Sequence, residues 1–86
     1  MSLSLEGELS VVRANELKEL FIDYVKTAKD IELDLSSVSE IDTAGFQLLV
    51  ALKKESDGMG RNFRILSVSP AVENLLDLYN VKDMFI

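Results

Sequence analysis

The residues best equipped for chemistry lie between Asp34 and Phe46, in the run Asp-Leu-Ser-Ser-Val-Ser-Glu-Ile-Asp-Thr-Ala-Gly-Phe. There an acid, a hydroxyl and two very small residues, Asp42-Thr43-Ala44-Gly45, stand directly before the mainly apolar run Phe46-Gln47-Leu48-Leu49-Val50-Ala51-Leu52. A helix begun here leaves its first N–H groups without intrahelical partners, and Asp42 is a favoured type to accept from them. Thr43 then falls in the first turn, where the partial positive charge of the helix end favours an added anion. A hydroxyl at that point is suited to accept a phosphate. Ala44 and Gly45 carry almost no side-chain bulk, so a partner's backbone or active site can come close to Thr43. Asp-Thr at a helix start is also an ordinary cap, and residue types alone leave both readings open. Phe46 reads both as core and as a part-exposed contact for a partner.

Other catalytic constellations are poorly supplied. The 86 residues include no histidine and no cysteine, which removes the commonest general base, the commonest metal ligand and thiolate chemistry. The serines therefore lack a familiar base for nucleophilic attack. Carboxylate chemistry would need two of Glu6, Glu8, Asp34, Glu40, Asp42 and Asp57 to face each other in a cleft, which so small a domain rarely builds. Asp34, Glu40 and Asp42 together could be imagined around Mg2+, but solvated loop acids are the simpler reading. Gly58-x-Gly60 lacks a third glycine and follows a helix rather than a strand, so it terminates a helix and cradles no phosphate. The expectation is a binding protein, not an enzyme, with no metal and no cofactor. A net charge of −6 argues against nucleic acid and anionic lipid as partners and would suit a basic patch on a protein. No apolar run is long enough to span a membrane, and no basic and apolar leader opens the chain. The expected location is the cytoplasm.

The elements that must position Thr43 can be read from periodicity. An apolar fraction of 48% against 28% charged residues is a globular balance, and this length makes one domain, residues 1–86. Ser2 to Gly7 alternates polar and apolar residues as a half-buried strand does. Leu17, Leu20, Phe21, Tyr24 and Val25 recur at helical spacing, predicting a helix from about Ala14 to Ala28. Ile31 to Leu35 alternates again as a second strand, followed by a serine-rich loop and a second helix from about Thr43 to Ser56. Phe63 to Val68 reads as a third strand. Ser69-Pro70 restarts a helix, with Ser as cap and Pro at the first helical position. Val72, Leu75, Leu76 and Tyr79 supply its buried stripe, Asn80 ends it, and residues 81–86 are apolar enough to pack or to add a short strand. Each tyrosine is expected to keep its hydroxyl at the surface. The order is βαβαβα, which implies an α/β domain with an open, mostly parallel sheet covered by helices.

The string Asp-Leu-Ser-x-Val-x-x-Ile-Asp-Thr-Ala-Gly-Phe resembles the signature of STAS domains, the fold of bacterial anti-sigma factor antagonists. Gly7-Glu8-Leu9 and Ser67-Val68-Ser69-Pro70-Ala71-Val72 extend the resemblance over most of the chain. It implies a single small STAS domain whose Ser or Thr after the signature Asp is phosphorylated by a partner kinase. Here that residue is Thr43. It further implies a switch in which the unphosphorylated domain binds a GHKL-type serine/threonine kinase or anti-sigma factor and phosphorylation releases it. Asp42 would cap and orient Thr43, and Ala44, Gly45 and Phe46 would form the contact surface with Ser10 and Val11 from the loop after the first strand. Sporulation-type members resemble Gly-Glu-Leu-Asp at that loop, where this chain has Ser10, and they commonly carry serine where it has Thr43. Many members also have an extra N-terminal strand and a longer C-terminal helix; without them a sheet edge would be open to a second copy, as in a homodimer. The string is similar, too, to single-domain proteins of chemotaxis-type signalling and to the STAS subunit of envelope lipid-transport ATPases. The first likeness implies the same switch in signalling and the second a regulatory subunit docked on an ATP-binding cassette protein; a third role, a passive ligand-binding or scaffold part of a larger signalling assembly, is implied by other STAS domains.

Overall fold

In the computed structural model, residues 2–81 are described. Strand β1 (Leu3–Leu9) leads through one 3-10 turn (Val11–Arg13) into helix α1 (Ala14–Thr27). Strand β2 (Ile31–Ile41), helix α2 (Thr43–Gly58), strand β3 (Phe63–Val68) and helix α3 (Pro70–Leu78) follow. Among these residues the strands form one parallel sheet in the order β1-β2-β3, with β2 at its centre. Right-handed crossovers then carry α1 and α2 over the same face, where they pack on each other. Helix α3 packs chiefly on β2. The βαβαβα order and parallel sheet are those expected from periodicity.

The central strand is longer than its alternation suggested. Ser36 to Ser39, expected as a loop, continue β2 up to Ile41. Asp34 explains why the pattern misleads: its Oδ1 accepts from the Ser36 backbone N–H at 3.0 Å and from the Ser36 hydroxyl at 2.6 Å. Such local bonding competes with the regular ladder. The register against both neighbours slips at this point, between Ser4 and Glu6 on β1 and beside Asp34 on the β3 side. The buried series Ile31, Leu33, Leu35 therefore resumes at Val38 rather than Ser37.

Helical spacing placed the core well. Leu17, Phe21, Tyr24 and Val25 of α1 are buried against Leu33 and Leu35 of the sheet, Leu49 and Leu52 of α2, and Val72 and Leu76 of α3 in one cluster. Leu20 and Tyr79, both assigned to buried stripes, are exposed instead. Tyr24 differs in the other direction. Its hydroxyl is inside, accepting from Glu32 N–H and donating to the Glu32 carbonyl, each at 3.1 Å, so it ties α1 to β2. Arg61 closes the far end of α1 by donating to the carbonyls of Val25 and Ala28. Ser69 caps α3 as expected, its Oγ accepting from Val72 N–H at 3.3 Å. Asn80 ends that helix in the left-handed region, at φ 55°. Val81 packs against the core; the remainder of the expected tail element lies outside the described residues.

Candidate functional site

Strand β2 delivers its last residues to the start of α2, beside the turn that follows β1. Asp42 is the residue that joins them. Its backbone is extended, as an N-cap's should be, and its Oδ1 accepts from Gly45 N–H at 2.9 Å. Its Oδ2 accepts from Val11 N–H at 3.2 Å across the β1 turn, while its own N–H donates to the Leu9 carbonyl at 3.1 Å. One side chain therefore caps the helix and pins the neighbouring turn. The N–H bonds from Gly45 and then Val11 stabilise the ionised carboxylate and hold Asp42 below the usual aspartate range, against a smaller opposing effect of desolvation.

Thr43 follows in the first turn of α2, with an exposed side chain. Its Oγ1 lies 3.4 Å from the hydroxyl of Tyr79, at the end of α3. The Tyr79 ring packs against Phe46 with centroids 5.0 Å apart and planes tilted by 49°. Three elements thus meet at the hydroxyl: the β1 turn through Asp42, the start of α2, and the end of α3.

The structure separates the expected contact residues into two groups. Ser10, Val11, Asp42 and Ala44 are at least partly accessible. Ser10 donates to a Glu8 carboxylate oxygen at 3.3 Å, and Val11 is 68% exposed. Gly45 and Phe46 do not face outward. Gly45 is buried, and a Cβ built on it would lie 2.0 Å from the Leu9 carbonyl oxygen. Its lack of a side chain serves the close approach of α2 to β1, not the approach of a partner. Phe46 is only 9% exposed and belongs to the core, where its ring supports Tyr79. Asp34, Glu40 and Asp42 make no metal-holding cluster, and no group of three or more potential ligands does so among the described residues.

Tyr79 was not foreseen beside Thr43, and Val12, the residue after Val11, is 84% exposed. For Val11-Val12 a signal was present: two apolar residues between a strand and a helix whose periodicities require neither. Tyr79 continued the stripe of α3, and nothing local distinguished it from core. Among the described residues, no helix is long and apolar enough to cross a membrane.

Comparison with known proteins places this geometry in a family context. The STAS domain family model matches residues 1–86. The anti-sigma-B factor antagonist of Staphylococcus epidermidis is 32% identical over 79 residues, covering 91% of this chain and 73% of the relative. The crystal structure of an anti-sigma factor antagonist from Mycobacterium paratuberculosis superimposes with a TM-score of 0.83 at 25% identity, over 98% of this chain and 72% of that one. The anti-sigma factor antagonist SpoIIAA in its unphosphorylated form shares the fold, with a TM-score of 0.65 at 16% identity over 88% of this chain and 71% of that one.

Proposed function

This chain belongs to the STAS domain family, and we propose that it is a non-enzymatic, phosphorylation-switched protein-binding module of the anti-sigma factor antagonist kind. Partner switching is the role that the names of its relatives support. Thr43 is the phosphoacceptor in this reading, and the partner is a GHKL-type serine/threonine kinase or anti-sigma factor. One observation carries it: an exposed hydroxyl in the first turn of α2, on backbone pinned by both Asp42 oxygens, beside the exposed apolar residues Val11 and Val12. The bond from Val11 N–H to Asp42 brings that turn against the residue before Thr43. Ser10, Val11, Asp42 and Ala44 make the contact together with Val12 and Tyr79, while Gly45 and Phe46 shape it from beneath.

A phosphate on Thr43 adds about −1.5 to −2 charges and three acceptor oxygens. At an exposed helix start this is tolerated by the fold. Against a docked surface, next to the ionised Asp42, it brings repulsion and bulk. Release thus follows from local electrostatics and sterics, without refolding of the domain.

The test begins with protein isolated from its native host. Phosphopeptide mass spectrometry should find phosphate on Thr43, and a GHKL-type kinase should co-purify. With that partner in hand, Thr43→Asp should weaken binding at least tenfold relative to Thr43→Ala while both keep the wild-type circular dichroism. Equal affinity of the two variants would sink the switch. An ATP-binding cassette ATPase as the partner of unmodified protein would make Thr43 a docking contact instead.

A further inference from the structure

The contact between Thr43 and Tyr79 joins residues 36 positions apart, and the switch reading gives it no task. We infer that Tyr79 is a positioning residue for the modified site: its phenol donates a hydrogen bond to the phosphate carried by Thr43. This rests on the reading of Thr43 as phosphoacceptor and extends it to how the phosphate is held.

The geometry supplies the argument. The Tyr79 hydroxyl is 3.4 Å from Thr43 Oγ1, which is long for a bond between two neutral hydroxyls. The non-bridging oxygens of a phosphate ester extend beyond Oγ1, so one of them reaches the phenol without movement of the ring. Bonds from O–H to a charged oxygen shorten to about 2.5–2.7 Å and are roughly twice as strong as neutral ones. Asp42 cannot supply a donor. Its oxygens accept from Gly45 and Val11 N–H, and its charge repels the phosphate, which favours the side where α3 ends. The Tyr79 ring is held in place by its packing on Phe46, and the left-handed turn at Asn80 ends the helix directly after it. The donor is therefore preorganised, while 40% exposure of Tyr79 leaves room for the phosphate beside it.

The measurement uses the full chain with phosphothreonine installed at position 43 during synthesis, so no kinase is required. The second ionisation of the phosphate is followed by phosphorus NMR in the wild type and in Tyr79→Phe. Phenylalanine keeps the ring packed on Phe46 and removes only the hydroxyl. Loss of the donor should raise that ionisation by about half a pH unit, a roughly threefold change in the dissociation constant. Identical titrations in the two proteins overturn the inference. This result stands apart from the functional reading. Absence of Thr43 phosphate in the native host would refute the switch and leave these titrations as they are.

Discussion

At the scale of single residues, Asp42 and Gly45 do most to define the site. Asp42 was legible in the sequence as a cap, because capping depends on a side chain and backbone three residues apart. Its second bond, to Val11 N–H, spans 31 positions and had no local trace. Gly45 was misread for the same reason. Small size suggested a surface open to a partner, whereas the tight neighbour is the carbonyl of Leu9. A direct consequence can be measured. Gly45→Ala should destabilise the domain by roughly 1–3 kcal/mol, although alanine is intrinsically the better helix former by about 1 kcal/mol. The added Cβ meets backbone rather than a yielding side chain. An unchanged or raised urea midpoint would mean that α2 can lift from β1 without loss.

At the scale of elements, the helices were the more readable part. Their boundaries follow from a 3.6-residue period with Asp42 and Ser69 as caps, signals that survive whatever packs above them. Strand β2 was harder. Its two registers slip where Asp34 turns back to Ser36, and a broken alternation looks like the end of a strand. The phase of α2 matters most for function, since it decides that Thr43 is outside when Leu49 is inside. Leu49 is fully buried. Leu49→Ala should therefore cost about 2–5 kcal/mol, read as a lower denaturation midpoint with the same slope. A negligible loss would rotate the helix and undo the placement of Thr43.

At the scale of the whole molecule, acidity governs how stability responds to pH. Asp34 is held below the ordinary aspartate range, first by the Ser36 hydroxyl and then by its N–H, and Asp42 by the N–H groups of Gly45 and Val11. A depressed carboxylate stabilises the fold at pH values above its unfolded-state range, near pH 4, and this contribution is lost as pH falls through the lower folded-state value. The urea midpoint should thus be insensitive to these two groups at neutral pH and fall below about pH 4. The double variant Asp34→Asn/Asp42→Asn should show a shallower acid decline. An equally steep decline would assign the acid sensitivity to other carboxylates in a chain of net charge −6.

Legible along the chain were the order of elements, the parallel βαβαβα plan, the inner faces of the helices apart from Leu20 and Tyr79, and Thr43 as the hydroxyl at a capped helix start. Each of these depends on periodicity or on bonds within a few residues. The tertiary structure alone decided that Gly45 and Phe46 turn inward, that β2 runs on to Ile41, and that Val12 and Leu78 lie exposed. It also brought the end of α3 to the start of α2, so that Tyr79 stands beside Thr43. That meeting depends on where helix α3 crosses the sheet, a distance set by packing rather than by any spacing along the chain.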